Sequence, residues 1–394
     1  MRDWFRHVCN VLCNSSHPAL RGAYWYSDRQ IRSASDIYSE GVTGSIRLQL
    51  FSPAIMGVVR VVVAVLLLGV LLHSVSALRG DSARCSSALH NAIASLPTSD
   101  PDTNLTLRVA NAAYYNQSEI TVLPGFSQNI QRFYGGALKP FEQTNPEAAI
   151  NSWVEEVTDG MIQNFLPPGH FTNSETVIML LNAVFFEGFW ENQFSVSLTS
   201  ESNFTTATGT VVRVPMMYRS HASISFKNIE ALNAQVIELP YKGDRFSLFV
   251  IMPNTWDGLI NLERRLDGQM LSSILNDMPP AVSANLFLPK FRLSTGKELN
   301  DHLKTMGLRT AFSRRADFRR MSDTRVRIEK VLHKAIIEVT ETGSRAAAVT
   351  SVELVPLSRP RNTVQVNKPF VFILRDKTSG LNFFMGRVTD PSQE

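Results

Sequence analysis

The pattern of apolar and polar positions divides the chain at about residue 85. Beyond that point Leu105–Tyr115 has the character of a strand, and Val177–Phe186 and Phe246–Met252 are nearly continuous apolar runs. Such runs mark strands buried on both faces. Val282–Phe291, Lys334–Val339, Phe370–Leu374 and Leu381–Val388 predict further strands. A helix is expected to start at Asn145-Pro146-Glu147. The amide can cap, proline suits a position that needs no donor, and an early carboxylate complements the helix dipole. Ile150, Trp153, Val154, Val157 and Met161 then share one helical face, with Gly160 near its stop. Helical patterns also cover Leu262–Leu275 and Gly296–Met306. The sum is an α+β fold with long central strands, without internal repeat or linker after residue 85.

The first 84 residues read differently. Residues 1–55 carry no sustained period and are left unassigned, as an N-terminal extension or an artefact of the gene model. Met56–Arg60, the apolar run Val61–Leu72 and the small residues Val75 and Ala77 have the three parts of a secretory signal peptide, though far from the N-terminus. A cleaved signal with translation starting at Met56 is the first reading of 56–77. A signal-anchor crossing the membrane once is the second, although a span needs about 20 apolar residues. Three sequons, at Asn104, Asn116 and Asn203, fit glycosylated surface loops of a secreted, extracellular protein.

Composition narrows the function. With 44% apolar and 19% charged residues the chain can bury a large core. A net charge of +4 lacks the dense basic stripes of a nucleic-acid binder. Three cysteines, Cys9, Cys13 and Cys85, make no disulfide framework, and no ligand set follows the first two at zinc spacing. No nucleophile elbow, phosphate loop, zinc-protease helix or dinucleotide fingerprint occurs, which argues against an enzyme and against a cofactor or metal. Arg314, Arg315, Arg319, Arg320, Arg325 and Arg327 form a basic run. A solvated charged face is its first reading, and a site for sulfated glycans is the functional alternative.

One segment, Glu341–Arg361, is too long and too poor in breakers for an ordinary connection between strands. The motifs around it carry a resemblance. Asn182-Ala-Val-Phe-Phe-Glu-Gly-Phe-Trp190, Val214-Pro-Met-Met217, Leu288-Pro-Lys290-Phe, His333-Lys-Ala335, Asn367-Lys-Pro-Phe-Val-Phe372 and Phe384-Met-Gly-Arg387 are similar, in order and spacing, to the markers of the serpins, serine protease inhibitors. The likeness spans about residues 85–394. It starts near the family's fourth helix, so the usual N-terminal helices are expected to be missing or replaced.

The resemblance implies a large central mixed sheet with further sheets, surrounding helices and an exposed reactive-centre loop. A protease cleaves the loop, is held as an acyl-enzyme, and is trapped in a covalent complex when the loop inserts into the sheet as a strand. Strand insertion sends every second side chain inward. From Ser344 the inward set is Ser344, Ala346, Ala348 and Thr350, all small and uncharged, with Arg345, Ala347, Val349 and Ser351 outward. Glu341 and Gly343 complete the expected hinge. Family spacing places the scissile bond at Leu357–Ser358, which would bait a chymotrypsin- or elastase-like protease; Arg359 and Arg361 are the alternatives. Asn182 and His333 resemble a polar pair beneath the point where the sheet opens, Trp190 the aromatic at its top, and Lys290 with Glu341 an ion pair at the loop's base. A non-inhibitory carrier or a defective, substrate-like member is the rival reading.

Overall fold

The computed structural model describes residues 99–100, 102–103, 105–134, 137–141, 145–171, 178–305, 308–344 and 362–393. In chain order these form β1 (Ser99–Asp100), β2 (Leu105–Tyr115), α1 (Pro124–Tyr134), β3 (Ala137–Pro140), α2 (Pro146–Val157), β4 (Ile178–Phe189), β5 (Ser200–Thr205), β6 (Val211–Ile229), β7 (Ala234–Pro240) and β8 (Phe246–Pro253). There follow α3 (Leu259–Arg265), α4 (Gly268–Asn276), β9 (Val282–Pro289), β10 (Phe291–Glu298), α5 (Asn300–Thr305), β11 (Lys330–Val339), β12 (Gly343–Ser344), β13 (Asn362–Gln365), β14 (Phe370–Asp376) and β15 (Asn382–Val388). The signal-like segment 56–77, all three cysteines and the sequon Asn104 lie outside the described residues.

The strands make two sheets. The first is seven-stranded with the path β1-β2-β4-β11-β10, β3 joining β2 and β12 joining β4. The second is eight-stranded with the path β13-β9-β6-β7-β8-β14-β15, and β5 joins β6. The sheets face each other across one core, where Leu107, Val184, Phe186 and Ile337 meet Phe204, Met217, Leu248 and Phe372. Each sheet has a helix on its other face. Ile150 and Val154 of α2 pack on Met179, Leu181 and Ala183 of β4, while Leu262 of α3 and Leu271 of α4 pack on Phe249 and Val371 of the second sheet.

This layering explains the continuous apolar runs. Successive residues of β4, β8 and β14 point into different cores, so neither face is polar. The start of α2 also follows from its sequence: Asn145 Oδ1 accepts the Ala148 amide at 3.1 Å. Beyond its end the Thr158 hydroxyl donates to Val154 O, and Gly160 sits at φ +77°. Two expectations need correction. Leu262–Leu275 is two helices rather than one, because Asp267 leaves helical geometry and caps α4 by accepting the Met270 amide at 2.7 Å. At Gly296–Met306 the strand β10 runs on to Glu298, and the helix begins only at Asn300. Among the described residues no helix is long and apolar enough to cross a membrane.

Candidate functional site

The site is the end of the first sheet where the chain leaves β11. That strand runs parallel to β4, pairing Lys330 with Met179 through Ile336 with Phe185. At Thr340–Thr342 the chain reverses, closed by the Thr340 amide donating to Gly343 O at 2.8 Å. It returns as β12, antiparallel to β4, with Gly343 opposite Phe189 and Ser344 opposite Gly188. These rungs lie just beyond the last β4–β11 rung, and β12 touches β11. The two-residue strand therefore heads down β4 toward the seam that β4 and β11 share.

Aromatic side chains hold this turn. Trp190 is buried, and its indole N–H donates to Thr340 O at 2.8 Å while its backbone amide donates to Thr342 O at 2.9 Å. Its ring stacks on Tyr241 with centroids 4.4 Å apart. The Tyr241 hydroxyl meets Ser344 Oγ at 2.6 Å, and burial raises its pKa well above the usual phenol range. It is thus neutral and able to donate. Ser344 is itself buried, facing the core between the sheets as the inward set requires. The other members of that set, Ala346, Ala348 and Thr350, lie outside the described residues, as do Ala347 and the bond Leu357–Ser358.

Gly343 has φ +151°. A Cβ there would stand 1.9 Å from Gly188 O and 2.7 Å from Phe189 Cα, so only glycine permits this approach of two backbones.

Lys290 and Glu341 form an ion pair of 2.9 Å. Its acidic member is drawn into the protein, the Glu341 side chain being only 7% exposed. Burial alone would raise the Glu341 pKa. Hydrogen bonds from Lys290, its own backbone and the Thr199 hydroxyl, with the charge of Lys290, outweigh that and hold the carboxyl below its ordinary range. Glu341 O also accepts the Phe194 amide at 2.8 Å, so the carboxylate and the backbone of this residue are both tied down.

Further along the seam a polar row crosses three strands. Asn111 of β2 stands opposite Asn182 of β4, which stands opposite His333 of β11. Asn182 Nδ2 donates to Asn111 Oδ1 at 2.7 Å, so its oxygen faces His333 Nδ1 at 2.6 Å and the imidazole must carry its proton there. Burial pushes the His333 pKa from 6.5 down to about 4. The neutral ring is the form that fits, and the sign of its pH effect follows. Below about pH 6.5 the unfolded chain takes up a proton that the fold refuses, so stability falls until about pH 4 and then levels. The full span is worth about 3 kcal/mol. Thermal unfolding across this window should therefore show a steeper acid loss for the wild type than for His333→Gln; parallel curves would refute the assignment.

Sequence reasoning missed Asn111, Thr199, Gly188 and Tyr241. Asn111 could have been noticed as the lone amide within an apolar strand, and Gly188 lies inside a quoted motif. Tyr241 and Thr199 are brought in only by the pairing of the second sheet with the first.

Of the remaining predicted positions, Asn203 is exposed on β5, and Asn116 is half-buried with its Oδ1 accepting the Ser118 amide at 3.0 Å. No group of three His, Cys, Asp or Glu suited to a metal occurs among the described residues.

A fold of two facing sheets, with a strand turning back toward a parallel seam, is the architecture of the serpins. The family model for serpin (serine protease inhibitor) matches residues 67–391, and the chain belongs to this family. It is 36% identical over 295 residues to Serpin B4 of Homo sapiens, covering 72% of this chain and 74% of that protein. It is 33% identical over 296 residues to the leukocyte elastase inhibitor of Sus scrofa, covering 72% and 78%. Among solved structures, human thyroxine-binding globulin complexed with thyroxine superposes with a TM-score of 0.76 at 23% identity, over 87% of this chain and 92% of that one. Serpin48 of the insect Tenebrio molitor gives 0.75 at 24%, over 98% of each chain. Uncleaved ovalbumin gives 0.72 at 24%, over 84% and 92%.

Proposed function

We propose that this protein is a secreted, glycosylated inhibitor of a chymotrypsin- or elastase-like serine protease, acting by a single cleavage at Leu357–Ser358 and insertion of the loop between β4 and β11. The observation that carries this reading is the course of β12: it is antiparallel to β4, it touches the end of β11, and its Ser344 side chain already points into the core. A strand continuing from Ser344 would add small residues at each inward position. The relative named leukocyte elastase inhibitor supports the choice of protease class.

In this mechanism the chain is not a catalyst and uses no cofactor. The protease supplies the nucleophile, and its attack breaks the peptide bond after Leu357 and leaves an ester to the protease serine. The protein's part is to present the bond, then to carry the ester-linked protease away as the freed loop enters the sheet. Gly343 is the pivot; Trp190, Tyr241 and the Lys290–Glu341 pair hold the strand's entrance; Asn182 and His333 close the seam lower down. Residues 56–77 serve as the cleaved export signal, and 85–394 as the inhibitory domain.

Incubation of the secreted protein with chymotrypsin, followed by a denaturing gel, should give a covalent complex that survives boiling, and mass spectrometry should place the cut after Leu357. Complete cleavage without a complex would overturn inhibition in favour of a carrier or substrate-like protein. An N-terminus upstream of Met56 in secreted material would overturn the export reading.

A further inference from the structure

Strand β6 changes partner along its length, and the fold opens a cleft where it does so. From Ser225 to Ile229 it pairs with β7, Ser225 standing opposite Glu238. The next residues of β7, Leu239 and Pro240, leave β6 and turn to the end of β4, where Pro240 O accepts the Glu191 amide at 2.9 Å. The ladder from β6 to β9 slips nearby. Arg219 stands opposite Leu286 and Ala222 opposite Ala284, so Ser220 and His221 together face the single residue Asn285. His221 takes φ +53° to accommodate this. A bulge of this kind bends its strand and re-aims the neighbouring side chains.

Between the diverging strands lies a cleft of about 290 Å³, open to solvent. Its walls include Trp190, Phe194, Ile224, Leu239 and Leu286, all buried apolar side chains. Its polar lining is less buried and forms the rim: Asn192 and Ser223 are exposed and Arg219 is half-buried. Arg219 donates to Gln193 O and, at 3.5 Å, to Asn192 Oδ1, which holds its cation at the mouth.

We propose that this cleft binds a small aromatic carboxylate. Small-molecule sites run from about 300 to 1,000 Å³, so a cleft at the bottom of that range takes roughly one ring with a short side chain. The apolar walls, with the Trp190 indole among them, suit the ring. The planar guanidinium fork of Arg219 suits the carboxylate, and the Ser223 hydroxyl and Asn192 amide are further donors at the rim. A neutral ring of the same size gains the burial but not the charge-assisted bond, so the site is expected to discriminate by charge.

Two of the walls connect the cleft to the entrance of the seam. The Trp190 indole donates to Thr340 O, and the Phe194 amide donates to Glu341 O. A ligand seated against both side chains favours the arrangement that shapes the cleft, the one in which Thr340–Thr342 turns back into β12. Occupancy therefore slows entry of the loop. This consequence rests on the insertion mechanism proposed above, whereas the site itself does not.

The test uses the full chain and needs no protease for its first arm. An NMR titration with 3-phenylpropionate should show one site with a Kd of about 1 mM or tighter, in keeping with a ligand of about eleven non-hydrogen atoms. The neutral 3-phenylpropanamide should bind at least fivefold more weakly. Ser223→Trp, a change at an exposed rim position that covers the mouth, should keep its Tm and lose at least tenfold in affinity. Arg219→Gln should bring acid and amide within twofold of each other. Absence of saturable binding, undiminished binding by Ser223→Trp, or equal affinity of the wild type for acid and amide would refute the site. In the second arm, saturating acid should slow formation of the covalent complex with chymotrypsin at least threefold for the wild type relative to Ser223→Trp, a comparison that removes any action of the acid on the protease. Equal slowing of both would refute the coupling and leave the site standing. Absence of a complex even without ligand would count against the inhibitory mechanism and not against the site.

Discussion

Replacing Gly343 by valine should convert the protein from a trap into a substrate. Chymotrypsin should still cut the loop, but the boiled gel should show cleaved chain and free protease in place of the covalent complex. The cause is local. The first atom of any side chain at this position would overlap Gly188 O, at 1.9 Å, and the backbone of Phe189. The pairing of β12 with β4 must then open, and the loop's base can no longer lie in register for entry. Gly343→Ala should act in the same direction, because the Cβ itself makes the clash. Peptide bond cleavage is chemistry within the protease and is untouched by either change, so the two readouts separate. A Gly343→Val protein that forms the complex as efficiently as the wild type would show that entry does not pass through this pairing.

Asn182→Ala should produce the largest loss of stability at a single polar position. The amide is the middle member of the row Asn111–Asn182–His333, and its removal leaves an acceptor on one side and a donor on the other without partners. Stranding buried polar groups costs about 1–3 kcal/mol each. A total of about 3 kcal/mol corresponds to a Tm lower by roughly 5–10 °C in a domain of this size. The row also bridges β4 and β11, so its loss loosens the seam itself and offers unpaired backbone to a strand from another copy. Gentle warming followed by size-exclusion chromatography should reveal oligomers of the variant at temperatures where the wild type stays monomeric. A Tm within about 1 °C of the wild type would show that water or a rearranged His333 replaces the amide.

The elements that the sequence announced are those whose residues have one simple environment. β4, β8 and β14 are buried on both faces, which leaves an uninterrupted apolar signature. Helix α2 carries its cap and its proline at the positions where the physics requires them. Long β6 was visible only as the marker Val214–Met217. Its 19 residues alternate irregularly between buried and exposed, and its ladder to β9 shifts register between Arg219 and Ala222, where His221 has φ +53°. A period-two pattern cannot survive such a bulge. Helix α1 and strands β5 and β7 were not read from the pattern at all, and the first two of these bury few of their residues.

The site divides in the same way. Asn182, Trp190, Lys290 and His333 were found through quoted motifs, and the contacts Asn182–His333 and Lys290–Glu341 do form. The burial of Glu341 was not legible, because it comes from Thr199 and Phe194 on a different stretch of chain. Nor was Tyr241, whose place under Trp190 depends on how β7 ends beside β4.

The direction of β11 has a consequence for the energy of the molecule. In the first sheet β2–β4 and β10–β11 are antiparallel, and β4–β11 alone joins long neighbours in parallel at its centre. Parallel ladders are slightly less stable per residue. A strand entering this seam in the direction of β12 would be antiparallel to both its neighbours. Each residue gained would exchange one slanted rung for two straight ones. Under the proposed mechanism the sheet would act as a loaded spring: its central parallel ladder lies where the proposed cleavage would let its own chain supply the better arrangement.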